Sequence, residues 1–424
     1  MAVNRRTPLY PLIALACLGL ASTATAAPAD PIAQLQTELD QGKARLSYDP
    51  AHGYLQSVLD ALKIPVDSQG LVFSKTSLHA SLISPEAPRA IYFNDDVYVG
   101  WVRNAQVLEI ASVDPVKGPV FYLLPQKRAE QPKFLRQEAS CLQCHQSQLT
   151  HDVPGLLMRS VYPDHQGMPV FSAGTYLTTE QSPMSQRWGG WYMDGKAGDG
   201  GMGNAFVDDP SHPEHLVTRQ ASLSEQFDTG AYLSPHGDPV PLLVLAHQTN
   251  LHNLLTKAAQ DTQAALVEEK AIFEAVGREG QQGKHLPSTM TRIAGACDPV
   301  VKCLLFSGEA TMPATVEGST EYARLFEKLG PFDHEGRSLR QFDLHSRIFR
   351  YPCSYLIYSE QFDSLPTDAK SYIYRKLWKV LTGRDDSAAF SHLSDGDREA
   401  IYQILGETKR DLPGYWKPRG QGGN

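Results

Sequence analysis

The stretch Ala90-Ile91-Tyr92-Phe93-Asn94-Asp95-Asp96-Val97-Tyr98-Val99-Gly100-Trp101-Val102 decides the fold class. Two runs of β-branched and aromatic residues flank three turn-forming residues, so the segment reads as two strands joined at Asn94-Asp95-Asp96. Leu71-Val72-Phe73 precedes this hairpin, and Val107-Leu108-Glu109-Ile110 and Val120-Phe121-Tyr122-Leu123 follow it. Short strands at this spacing predict a β-rich unit over residues 70–125. Ahead of it, residues 31–66 read as helical, with Ile32, Leu35, Leu39 and Leu46 near helical spacing. From Val240 onward the period becomes helical, over 240–275 and near 319–329, 366–382 and 394–409. Asp395 is placed to cap the last of these and Gly406 to end it. The expected class is α+β: a β-rich N-terminal half and a mostly α-helical C-terminal half.

Residues 141–235 are mixed. Leu156 to Val161 and Pro169-Val170-Phe171-Ser172 read as two strands around the turn Asp164-His165-Gln166-Gly167. Arg187-Trp188-Gly189-Gly190-Trp191-Tyr192 then leads into a glycine-rich loop, Asp194 to Asn204. The expected division is 1–26 leader, 27–135 N-terminal helix plus β-rich unit, 136–235 mixed segment, 236–412 helical region and 413–424 disordered tail.

The mixed segment opens on Cys141-Leu142-Gln143-Cys144-His145, a C-x-x-C-H motif. Two thiols at this spacing can add across the two vinyl groups of one porphyrin, and the adjacent imidazole can then ligate the iron. A thioredoxin-type redox motif needs a strand–helix pattern that Phe134 to Ser140 does not clearly supply. A zinc knuckle needs a second ligand pair at short spacing, and the next cysteines are Cys297 and Cys303. Covalent haem c, one per chain, held by Cys141, Cys144 and His145, is therefore the expected cofactor.

The N-terminus gives this chemistry a compartment. Arg5 and Arg6 precede an apolar stretch from Leu9 to Leu20, and Ala24-Thr25-Ala26 reads as a cleavage site. The apolar core is about a dozen residues, short of the ~20 that a spanning helix needs. Residues 1–26 are expected to be a Sec-type signal peptide, with the mature chain in a Gram-negative periplasm and no integral membrane span. Removing Arg5 and Arg6 from 39 basic residues leaves 37 against 47 acidic ones, a net charge of −10. That balance argues against nucleic acid and suits a basic redox partner protein.

The second face of the iron decides between an electron carrier and an open haem site. His247 lies on a helical face formed by positions 240, 243, 244, 247, 251, 254, 255 and 258, all apolar except itself. An imidazole there needs a partner, and the iron is one. Met202, in the glycine-rich loop after the motif, is the alternative distal ligand, with Met193, Met184 and Met168 as further thioethers and His252 on the flank of the helical face. Arg159 and Arg187 are suited to haem propionates. Of the remaining cysteines, Cys297 and Cys303 bracket a turn-like Asp298-Pro299 and are placed to pair, whereas Cys353 lies in an apolar run and reads as a buried thiol.

Beyond the motif, Leu71 to Ser77, Tyr92 to Gly100, Arg187 to Tyr192, His247 to Asn253 and Tyr351 to Tyr355 span most of the chain. With these stretches the sequence resembles a family of large, exported, mono-haem bacterial cytochrome c domain proteins of unestablished substrate. The resemblance implies haem binding and electron transfer. The expected function is a periplasmic mono-haem c-type cytochrome. The alternatives are a haem enzyme, peroxidase-like or acting on a small molecule at an open sixth site, and a haem-based sensor.

Overall fold

Asn94 closes the hairpin that the sequence predicts. Its side-chain Oδ1 accepts the backbone N–H groups of Asp96 and Val97, at 3.1 and 2.9 Å. The computed structural model describes residues 30–197, 203–219, 221–277 and 285–416. The signal-peptide expectation, Met202 and the end of the tail lie outside these residues.

Around that hairpin, strands β1 (Gly70–Val72), β2 (Arg89–Phe93), β3 (Val97–Trp101), β4 (Val107–Asp114), β5 (Gly118–Pro125) and β6 (Leu135–Gln137) form an antiparallel meander. The period of two sorts its side chains. Tyr92, Val99, Leu108, Ile110 and Leu124 pack with Ile32 and Leu35 of α1 (Pro31–Asp40) and with Leu55, Val58 and Leu59 of α2 (Leu55–Leu62). Phe93, Tyr98 and Val113 point the other way, into a larger core shared with the C-terminal helices. The helical reading of 31–66 is thus two helices. Asp49 breaks it, because its side chain accepts the N–H groups of Ala51 and His52 in a turn around Pro50.

After β6 comes α3 (Ala139–His145), which carries the C-x-x-C-H motif. The next hairpin pairs β7 (Arg159–Val161) with β8 (Thr175–Leu177), not with 169–172 as expected. Pro169 has no N–H to donate, and Phe171–Ala173 instead forms a 3₁₀ turn ended by Gly174 at φ +122°. β9 (Trp191–Tyr192) returns to the meander and pairs with β1, giving the seven-stranded order β6-β5-β4-β3-β2-β1-β9. β10 (Ala205–Val207) and β11 (Leu216–Thr218) make a separate hairpin, followed by α4 (Leu223–Gln226).

The C-terminal half is built around α5 (Pro239–Ala275), 37 residues long. From Pro239 to Thr249 every residue is buried, so this end of α5 is enclosed on all sides and not merely along one stripe. It packs beside α6 (Pro287–Leu304), α7 (Tyr322–Glu327), α8 (Glu360–Asp363) and α9 (Thr367–Leu381), and α10 (Asp395–Thr408) packs on α9. The α+β expectation holds. In detail, Ser394 rather than Asp395 caps α10 in a reciprocal box with Asp397, and Gly406 lies inside the helix. The helical region also extends past 412: Gly414–Trp416 forms a 3₁₀ turn that buries Trp416 in the core. That core draws on Val72, Leu156, Trp188, Leu243 and Trp416 together, so the three expected segments share one interior. Among the described residues no helix is long and apolar enough to cross a membrane.

Candidate functional site

In α3, Cys141 and Cys144 are three residues apart and so lie on one helical face. Both are free thiols, Cys141 half-buried and Cys144 exposed. Burial pushes the Cys141 thiol up from its ordinary value. His145 ends the helix, half-buried, with its ring 4.6 Å from that of Phe121 on β5. Its Nδ1 lies 2.9 Å from the carbonyl oxygen of Gly155. A carbonyl can only accept, so Nδ1 carries the proton and the neutral ring presents the lone pair of Nε2. Burial holds the His145 imidazole below its ordinary pKa, which favours that neutral form.

The acceptor is itself fixed in place. The N–H of Gly155 donates back to the carbonyl of His145 at 2.8 Å. A Cβ on Gly155 would fall 2.6 Å from Asn253 Oδ1 and 2.7 Å from Thr150 Cβ, so only glycine fits this approach. Next door, the Asn253 amide of α5 pairs with both backbone groups of Leu156, accepting its N–H at 2.7 Å and donating to its carbonyl at 2.8 Å. The central helix thereby anchors the loop that orients His145. Such a second layer of hydrogen bonds is what sets the tautomer and aim of a metal-binding imidazole.

Beside α3, the sheet carries a polar cluster. Arg89 of β2 pairs with Glu109 of β4 at 2.5 Å, reaching over Gly100 of β3, where a Cβ would collide with the guanidinium. His79 Nε2 lies 3.9 Å from Glu109 Oε1. His79 Nε2, Arg89 Nε and Glu109 Oε1 are all buried without a hydrogen bond. The charges of Arg89 and Glu109 act on His145, and that of Glu109 acts on Cys141, which places this ion pair near the motif. Two free thiols on one face, an imidazole with its Nε2 lone pair presented, and unsatisfied polar atoms alongside form a donor set that fits a covalently attached haem.

The expected distal ligand is not part of this site. His247 is fully buried, with Nε2 2.7 Å from Ser354 Oγ, Nδ1 3.5 Å from Glu180 Oε2 and its ring stacked on Phe306 at 4.3 Å. Its partner is this polar pocket between helices, and none of these neighbours belongs to the motif. His252 is likewise taken, by Gln361 and by the Asp95 carbonyl. Met202 lies outside the described residues. Met184 and Met193 are buried in the helical core, and Met168 is exposed. Arg187 is buried, its Nε and Nη2 donating to the carbonyls of Ser182 and Glu180, neither of which belongs to the motif. Arg159 donates to Thr175.

Two cysteine expectations change. Cys297 and Cys303 both lie in α6, which runs through Asp298-Pro299 as continuous helix. Six helical residues separate them by about 9 Å along the axis, too far for a disulfide. Both are free and buried, as is Cys353, whose thiol burial pushes up to about 12.

The residues missed at sequence level are Gly155, Asn253 and the His79–Arg89–Glu109 cluster. Val153-Pro154-Gly155 carried a turn signal, but nothing linked it to His145 before folding. Comparison with protein-family models, with curated proteins and with solved structures returns no match for the chain.

Proposed function

We propose that the chain is a mono-haem c-type cytochrome, exported to the periplasm, that binds haem c covalently through Cys141 and Cys144 with His145 as proximal iron ligand. The observation that carries this reading is the Gly155 carbonyl on His145 Nδ1, which leaves the Nε2 lone pair for a metal. The haem, when attached, supplies one-electron iron chemistry. The chain's own part is to hold the imidazole neutral and aimed, through Gly155 and Asn253, and to place the Arg89–Glu109 pair beside the group. Arg89 takes over the propionate-pairing role expected of Arg187. His79, whose Nε2 is buried without a hydrogen bond near Glu109, would be the residue to supply a second imidazole in place of His247. A filled sixth position favours electron transfer over substrate chemistry, and the acidic surface suits a basic redox partner protein.

The test is optical. In the protein produced by a host that attaches haem, we expect low-spin haem that does not bind carbon monoxide when reduced. His79→Ala should convert it to high-spin, carbon monoxide-binding haem. If the wild type already binds carbon monoxide and His79→Ala changes nothing, the site is open and the reading as a haem enzyme or sensor replaces the carrier.

A further inference from the structure

A second polar site lies in the helical core. Glu180 follows β8, His247 is in α5 and Cys303 is at the end of α6; their nearest donor atoms all lie within 4.8 Å of one another, and all three residues are buried. His247 Nδ1 is 3.5 Å from Glu180 Oε2, and Cys303 Sγ is 3.4 Å from Glu180 Oε1. A tetrahedral ion with bonds of about 2.0–2.3 Å has donor–donor edges of about 3.3–3.8 Å. The two separations are of that size, each to a different oxygen of the Glu180 carboxylate, which would turn to offer one oxygen to an ion.

Hydrogen bonding accounts for only part of the cluster: Cys303 Sγ and the Asn250 amide are placed to donate to Glu180. His247 Nδ1 is fully buried, faces the carboxylate and makes no hydrogen bond. On the far side of the ring, Nε2 sits 2.7 Å from Ser354 Oγ, which already accepts the Leu356 N–H. If Nε2–H donates to that hydroxyl, Nδ1 turns a bare lone pair toward a carboxylate inside the protein. This arrangement is costly unless a cation lies between them. It is also the usual arrangement of a metal-bound histidine, whose other ring nitrogen donates to an oxygen. Asn250 completes the wall. Its amide lies 3.2 Å from both Glu180 oxygens and 3.6 Å from Cys303 Sγ, and turning it over presents its carbonyl oxygen as a fourth donor.

We propose that Glu180, His247 and Cys303, with Asn250, hold a divalent transition-metal ion of the zinc class in a closed structural site. Mixed sulfur, nitrogen and oxygen donors are the zinc set. A carboxylate and a thiolate neutralise the 2+ charge, so the loaded site is uncharged in an apolar interior. The Cys303 thiol loses its proton to solvent as the Sγ–metal bond forms, and no electron is transferred. A cysteine nucleophile is a poorer reading, because the donors are sealed from any substrate. The ion would tie the loop after β8 to the two core helices.

The experiment is elemental analysis of the haem-loaded protein after dialysis against a weak chelator, with haem counted separately by its optical spectrum. We expect about one zinc or other divalent transition ion per chain beyond the haem iron. We also expect uptake of zinc by stripped protein, with a rise in melting temperature. X-ray absorption at the zinc edge should report one sulfur among nitrogen and oxygen neighbours. Cys303→Ser and Glu180→Gln should each weaken zinc binding by about 10–100-fold or more, with the haem spectrum unchanged. Glu180→Gln keeps the shape of the side chain, so it decides the matter if Cys303→Ser does not fold. Wild-type protein that neither retains nor takes up zinc overturns the proposal. Zinc that stays bound with undiminished affinity in both variants overturns it equally.

Discussion

The C-x-x-C-H segment and the Glu180–His247–Cys303 pocket are both ligand-rich, but they are built in opposite ways. The first puts all its donors on one short helix, leaves Cys144 exposed and relies on a neighbouring loop to aim His145. The second draws one donor from each of three distant segments and buries them all. An open site can receive a large planar cofactor during maturation, and an exposed edge lets electrons reach a partner. A closed site suits an ion that is never exchanged in function. The two share α5: Asn253 on it steadies the loop behind His145, and His247 on it belongs to the pocket.

That shared helix is where the contrast can be broken. Asn253→Ala removes two buried hydrogen bonds and leaves the Leu156 N–H and carbonyl without partners, a loss of about 2–4 kcal/mol of stability. It should also loosen His145, lowering holoprotein yield and shifting the haem spectrum, while zinc content stays unchanged. A melt that falls with an unaltered haem spectrum would show that α5 supports the fold but does not position the ligand.

A smaller effect sharpens the closed side. Burial raises the Glu309 carboxyl from 4.5 to about 7, against the opposing pull of the Ile348 N–H and the Arg187 charge. The folded chain therefore keeps a proton that the unfolded chain gives up at lower pH. This contribution is fully present below about 4.5 and is lost as pH rises through about 7. Denaturant melts across that window should show stability falling relative to Glu309→Gln, which cannot titrate. Parallel pH profiles for the two proteins would remove Glu309 from the account.

What the sequence disclosed follows the range of the forces involved. The meander was legible because strand alternation and the Asn94 turn are local, and the motif because its five residues are contiguous. α6 was hidden behind Asp298-Pro299, which reads as a turn. The helix nevertheless runs through Pro299 from Pro287 to Leu304. The β8 strand was misplaced by a few residues because Pro169 interrupts the run that looked most like it. His247 was singled out for the right physical reason, a lone imidazole on an apolar face. Its partners come from positions 180, 303 and 354, which no spacing rule connects to it. Gly155 was silent for the same reason: its contact with His145 exists only once the loop has been brought to α3.

The central claim is that Cys141 and Cys144 bind haem covalently. The most direct measurement is the intact mass of the mature chain under denaturing conditions, after extraction with acidified acetone, for wild type and for the Cys141→Ala, Cys144→Ala double variant. The account predicts that the wild-type chain carries the mass of one haem through the extraction and that the double variant carries none. A wild-type chain at its bare polypeptide mass, or a double variant that keeps its haem, would contradict it.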